Sequence, residues 1–285
     1  MEYFLDMDKK YNDYRSASVV LLPVPYDGTS TFVKGADKGP QAIIDASDSI
    51  ELYDVEEDIE IYLQGIHTAQ PVENMNTPQQ MVESVYKRAK NYLADDKLLC
   101  VLGGEHSVSC GAIKAVSEKF NHLSVLQLDA HADMRDEYQN SPFNHACVMR
   151  RAKDFADIVQ VGLRSVEAEE RKNMDMNHVF YAHAIYGKND WMQRAIDQLT
   201  DNVYLTIDLD VFDPSILPST GTPYPGGMQW RETLEFLSMV IAQKNVVAFD
   251  VVELCPNPAE KSSDVLAAVL IYRLIGKILK KRMNK

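Results

Sequence analysis

Eight short runs of apolar and β-branched residues recur along the chain, at 18–23, 60–63, 98–102, 123–128, 158–161, 178–181, 203–209 and 246–251. Each predicts a strand. The intervening stretches 40–49, 78–93, 107–120, 147–155, 167–174, 190–199, 229–243 and 263–279 carry helical patterns. The clearest helix opens with Thr77 as N-cap and Pro78 at its first turn, then sets Met81, Val85 and Tyr92 on one face. Strand and helix alternate throughout, and several strands are apolar on both faces. This predicts an α/β protein with a mostly parallel sheet covered by helices on each side. No low-complexity linker or internal repeat divides the chain, so residues 1–285 read as one domain. Two irregular stretches, 27–39 and 213–227, are long enough to suggest function.

Composition narrows the class. Apolar residues make up 46% of the 285, enough for a large core, and no run approaches the length that spans a bilayer. The start of the chain is polar and acidic instead of leader-like, so a soluble, cytoplasmic protein is expected. Cys100, Cys110, Cys147 and Cys255 form no close pair and read as reduced thiols. A net charge of −13 argues against a nucleic-acid partner and suits a cationic small substrate, although acidity also serves solubility.

The chemistry gathers at three strand ends. Ser124-Val-Leu-Gln-Leu-Asp129-Ala-His131-Ala-Asp133 places two carboxylates and an imidazole at alternate positions after an apolar run, so all three can point the same way. Val203-Tyr-Leu-Thr-Ile-Asp208-Leu-Asp210 ends in a second alternating pair. The run 98–102 passes through Gly103 and Gly104 into Glu105 and His106, and the glycines allow the sharp turn that lifts His106 above the sheet. Ligands in an open parallel sheet collect beyond the carboxyl ends of the strands. Four aspartates brought together there repel one another unless cations compensate. Two divalent ions match the four carboxylate charges, giving the candidate metal ligands His106, Asp129, His131, Asp133, Asp208 and Asp210. Two imidazoles and four carboxylates without a thiolate favour manganese, with zinc, nickel, cobalt or iron as alternatives.

These blocks resemble those of the ureohydrolases, a family of arginases, agmatinases, guanidinobutyrases and formiminoglutamases. The likeness rests on Gly103-Gly-Glu-His106-Ser, Asp129-Ala-His-Ala-Asp133, Thr206-Ile-Asp208-Leu-Asp210-Val-Phe-Asp213-Pro and Phe249-Asp-Val-Val-Glu253-Leu-Cys-Pro256, in that order. The opening Pro25-Tyr-Asp27-Gly-Thr-Ser, with Gly35 and Gly39-Pro40, is also similar but names no chemistry. The resemblance implies a three-layer α/β/α fold with an eight-stranded, mostly parallel sheet, two Mn2+ per chain and a trimer or hexamer. It also implies that His106, Asp129, Asp133 and Asp208 hold one metal and Asp129, His131, Asp208 and Asp210 the other. Glu253 would grip the substrate guanidinium, and His145 would carry a proton to the leaving amine, titrating near neutrality. A guanidinium carbon is a poor electrophile, and two metals lower the pKa of water enough to attack it.

Glu105 is assigned no ligation. Arg135, Asp136 and Asp213 are expected to shape nearby loops, and His67, His122, His178 and His183 to serve the surface or packing. The segment 134–144 lacks the Thr, Ser and Asn rich reader of an α-carboxylate that arginases show, and with 145–151 and 221–227 it is more similar to agmatinases. Agmatine, hydrolysed to putrescine and urea in polyamine synthesis, is therefore the expected substrate. Guanidinobutyrate, arginine or formiminoglutamate are alternatives should Arg135 receive a carboxylate, and a non-catalytic metal-binding relative is the remaining one. The chain ends in a basic tail at 280–285.

Overall fold

The computed structural model describes residues 2–188 and 190–284; Met1, Asn189 and Lys285, the last being the end of the basic tail, lie outside the described residues. Eight strands form one sheet: β1 Val19–Val24, β2 Ile66–Thr68, β3 Leu98–Gly103, β4 Leu123–Leu128, β5 Asp157–Leu163, β6 Val179–Tyr181, β7 Asn202–Asp208 and β8 Asn245–Val252. Their order is β2-β1-β3-β8-β7-β4-β5-β6, and every pairing is parallel.

The helices are α1 Gly39–Ala46, α2 Pro78–Ala94, α3 Ser109–Lys119, α4 Val148–Ala152, α5 Ala182–Ile185, α6 Asp190–Asp197, α7 Trp230–Gln243 and α8 Ser262–Met283. They cover both faces of the sheet. Val19, Leu21, Leu98 and Leu205 pack on one side with Ile43 of α1, Trp191 of α6, Leu237 of α7 and Ile271 of α8. Val20, Leu22, Leu99 and Val125 pack on the other with Met81 and Val85 of α2, Ile113 of α3 and Val148 of α4. Successive strand residues thus feed opposite cores, which is why the strands read as continuous apolar runs. The expected three layers and eight strands are present, and the sheet is parallel throughout. In α2 the Thr77 hydroxyl accepts the Gln80 N–H at 3.2 Å, Met81, Val85, Ala89 and Leu93 form the buried face, and Tyr92 packs at its edge.

Two elements differ from the sequence expectation. Residues 60–63 are not a strand: Ile61–Gln64 is a 3-10 turn that buries Ile61, and the edge strand follows at Ile66–Thr68. Gly65, at φ 73°, separates them where its backbone lies against Ala17. The helix expected at 167–174 is a single turn, Glu170–Lys172, because the Glu170 carboxylate accepts the N–H groups of Met134 and Glu167, each at 2.9 Å, and folds the segment into a loop. Among the described residues no helix is long and apolar enough to cross a membrane, and all four cysteines are free.

Candidate metal and catalytic site

Four strands adjacent in the sheet, β3, β8, β7 and β4, deliver every candidate residue except His145. His106 follows β3, Glu253 follows β8, Asp208 ends β7 with Asp210 two residues on, and Asp129, His131 and Asp133 follow β4. His145 arrives on the loop before α4, in a 3-10 turn spanning His145–Cys147. His106, His131, Asp133, His145, Asp208 and Glu253 line one cavity of about 230 Å³, with Thr31, Arg135, Tyr138, Glu167, Glu170 and Thr222 among its other walls. Asp129 and Asp210 are buried at its floor within ligand reach of His131, and Asp129 lies likewise beside His106 and Asp208. Asp133 and Glu253 adopt φ of 53° and 67°, a left-handed backbone that non-glycine residues seldom occupy and that here aims both carboxylates inward.

The donor set fits a metal. His106 Nδ1 lies 3.2 Å from Asp129 Oδ2, 3.0 Å from Asp133 Oδ2 and 3.4 Å from Asp208 Oδ2, yet it is buried and makes no hydrogen bond. Its other nitrogen, Nε2, is 2.9 Å from Thr206 Oγ1, and that hydroxyl donates to Asp250 Oδ1 at 2.6 Å. With its proton on Asp250, Thr206 accepts from Nε2–H, so a neutral imidazole turns the Nδ1 lone pair toward three carboxylates. A cation between them satisfies all four groups. His131 repeats the pattern with Nδ1 3.0 Å from Asp210 Oδ2 and 3.6 Å from Asp129 Oδ1.

The carboxylates are held by donors behind them. Asp129 accepts from Gln127 Nε2 and the His131 N–H, both at 2.6 Å; Asp210 accepts from the Ala130 N–H at 3.0 Å and Thr222 Oγ1 at 3.1 Å; Asp208 accepts from the Asp210 N–H at 2.9 Å. The crowding shifts their titration. Burial, then the Asp129 charge, raises Asp133 to about 7, and burial with Asp210 and Asp129 lifts Asp208 well above the carboxylate range. Burial also opposes ionisation of Asp129, but His106 and His131 outweigh it and hold Asp129 low. Burial disfavours the charge on His131, and Asp210 and Asp129 overcome that to raise it to about 12. Burial, then Glu105, lifts Glu253 well above its usual range. His145 departs from the expected near-neutral titration: burial, then the His131 and His106 charges, hold it down to about 4.

The sequence matches the Arginase family over residues 17–276. The chain belongs to the arginase family. It is a ureohydrolase, similar to the N(1)-aminopropylagmatine ureohydrolase of Synechocystis sp., at 36% identity over 92% of this chain and 90% of that one. The agmatinase of Pyrococcus horikoshii is 35% identical, covering 95% of each chain. Among solved structures, the agmatine ureohydrolase of Thermoplasma volcanium superposes with a TM-score of 0.89 at 27% identity, covering 100% of this chain and 96% of that one.

Several residues of this ureohydrolase site carried no role in the sequence reading. Asp250 also accepts from Tyr204 at 2.6 Å, and Gln160 donates to Gln127 at 2.6 Å, so His106 and Asp129 each have a buried chain of partners behind them. Arg164 clasps the carbonyls of Asp210 at 2.5 Å and Tyr224 at 2.7 Å, tying the end of β7 to the 213–227 loop. The signal for Asp250 was a carboxylate inside an apolar strand run; Arg164 had none beyond its place at a strand end. Of the loop residues, Asp213 accepts the N–H groups of Ser215, Gly226 and Gly227, while Asp136 pairs with Arg150 on the surface. Arg135 faces the cavity, but its guanidinium lies over the Tyr138 ring, 4.4 Å from the centroid, and pairs with Glu167 at 3.7 Å. His67 and His178 are half-buried, and His122 and His183 exposed.

Proposed function

We propose that this ureohydrolase cleaves agmatine to putrescine and urea. The observation that carries the reading is the charge of the cavity wall. Beyond the candidate metal ligands, Glu167, Glu170 and Glu253 line it, and the one permanent cation among its described lining residues, Arg135, is already paired with Glu167 and stacked on Tyr138. A dicationic guanidine suits such a wall. The carboxylate of arginine, guanidinobutyrate or formiminoglutamate would be desolvated there without a free cation, at a cost of several kcal/mol, equivalent to about a hundredfold discrimination or more.

His106, Asp129, Asp133 and Asp208 would hold one divalent cation, and Asp129, His131, Asp208 and Asp210 a second; the oxygen-rich donors favour manganese. When bound, the pair supplies Lewis acidity that makes a nucleophile available from water near neutral pH. Glu253, tied through Oε1 to the His106 N–H, keeps Oε2 for the substrate and accepts N–H bonds from the planar guanidinium, fixing the approach to its carbon. As the bond from that carbon to the chain nitrogen breaks, His145, standing in the cavity wall, relays a proton from water to the departing amine.

N1-aminopropylagmatine is the second reading, favoured by the rim. Glu167, Glu170 and Arg135 are shared between the cavity and a neighbouring depression that also holds Asp136, Glu137, Glu169 and Lys172, so five carboxylates face two cations where a longer cationic tail would end. Manganese-loaded protein assayed on agmatine, N1-aminopropylagmatine, arginine, guanidinobutyrate and formiminoglutamate, by urea or formamide release, tests both. The two carboxylate-free compounds are expected to exceed the others in kcat/KM by about a hundredfold, and their own ranking chooses between the readings. Preference for a carboxylated compound overturns both.

A further inference from the structure

The opening loop at 27–39 contains no candidate ligand, yet it meets the site at two points. Thr29 is buried, and its hydroxyl donates to Glu105 Oε2 at 2.9 Å while accepting the backbone N–H of His145 at 2.9 Å. Two residues on, Thr31 Oγ1 lies 3.5 Å from His145 Nε2. Glu105 is fixed in turn, its Oε1 accepting from Ser107 Oγ at 2.6 Å and its Oε2 from the Ser107 N–H at 3.2 Å. A hydroxyl has one proton; given to Glu105, it leaves only lone pairs for His145, so the direction of the relay is set. His145 opens a 3-10 turn, and its N–H has no partner within that turn. Thr29 supplies the missing acceptor.

The loop is built to hold this position. Asp27 Oδ2 accepts the N–H of Gly35 at 2.6 Å and of Ala36 at 3.3 Å, and Lys34 pairs with Asp27 Oδ1 at 3.2 Å, folding the segment back on itself. A Cβ on Gly28 would fall 2.1 Å from the Tyr26 hydroxyl oxygen, so the turn into Thr29 is closely packed.

We propose that Thr29, oriented by Glu105, is a positioning residue that sets where His145 stands relative to the leaving nitrogen of the substrate. The proposal rests on the reading of His145 as the proton carrier. Proton transfer depends steeply on donor placement, whereas the Glu253 carboxylate is held by the His106 N–H and not by Thr29. Loss of the Thr29 hydroxyl therefore acts on turnover and spares substrate binding.

The test is a cycle of Thr29→Val, Thr29→Ser, His145→Ala and the Thr29→Val/His145→Ala double variant, each with metal content, kcat and KM measured on agmatine. Thr29→Val is expected to lower kcat about tenfold with KM within about twofold and metal content unchanged, and Thr29→Ser to restore kcat to within about threefold. In the His145→Ala background the Val substitution is expected to cost nothing further, because Thr29 acts through His145. Unchanged kcat in Thr29→Val, failure of Ser to rescue, or the same tenfold loss in the His145→Ala background overturns the proposal. If instead His145→Ala keeps wild-type kcat while Thr29→Val loses it, the proton-carrier reading beneath is what fails. Should Thr29→Val not fold, Thr29→Ala carries the same expectations.

Discussion

The backbone N–H of His106 donates to Glu253 Oε1 at 2.8 Å, joining groups 147 residues apart in the chain. The Glu253 N–H in turn donates to the Gly104 carbonyl at 2.8 Å, so the ends of β3 and β8 lock each other in place. Glu253 therefore has one oxygen committed to the frame, which leaves the other for the proposed contact with substrate. Glu253→Gln keeps the shape and removes the charge: kcat/KM is expected to fall about a hundredfold with the metal content intact, the loss of a charge-assisted pair. Steady-state kinetics with metal analysis checks this; a variant that lost its metals would make Glu253 a ligand.

Asp129 belongs to both imidazole-centred groups of donors and Asp208 to that of His106, and with both proposed as ligands of the two cations, Asp129→Ala or Asp208→Ala is expected to abolish activity and lower bound metal below two per chain. Chelation should also lower the melting temperature, since a ligand that binds only the folded chain stabilises it and the bare carboxylates repel. A chelated sample with full activity and an unchanged melting curve would contradict this.

At Gly104 a Cβ would fall 2.0 Å from the Tyr26 carbonyl oxygen, and the three nearest atoms all belong to the Tyr26 backbone. Gly104→Ala cannot be relieved by a rotamer change, so it is expected to destabilise the fold by about 2 kcal/mol or more. Urea unfolding measures it, and a midpoint equal to wild type would show that the strand end yields more easily than its packing implies.

Asp213 is held down to about 2 by its hydrogen bonds from Ser215, and then from Gly226 and Gly227, against an ordinary value of 3.8. Its folded pKa is the lower one, so its contribution is present above about 4 and is lost as pH falls toward 2. Metal-free wild type and Asp213→Asn should therefore differ in melting temperature at about pH 5 and converge near pH 2. A gap independent of pH would assign the stabilisation to the hydrogen bonds without the charge.

Much of this site was legible in the chain itself. Alternation of two along 124–133 and 203–210 is a local property, and it marked Asp129, His131, Asp133, Asp208 and Asp210 as one candidate group, although the strands end at Leu128 and Asp208 and the turns beyond them, not the strand pleat, bring the others together. The two glycines before Glu105 likewise announced the turn that raises His106. What the sequence could not contain was which strands are neighbours. The order β3-β8-β7-β4 is set by packing both sheet faces at once, and it brings Glu253 to His106 and Thr206 to Asp250, while Thr29 meets His145 through the packing of two loops. It also decided that Arg135 is spent on Glu167 and Tyr138, and that residues 60–63 turn instead of extending, because burial of Ile61 and the room left beside Ala17 are properties of the folded core and not of any short window.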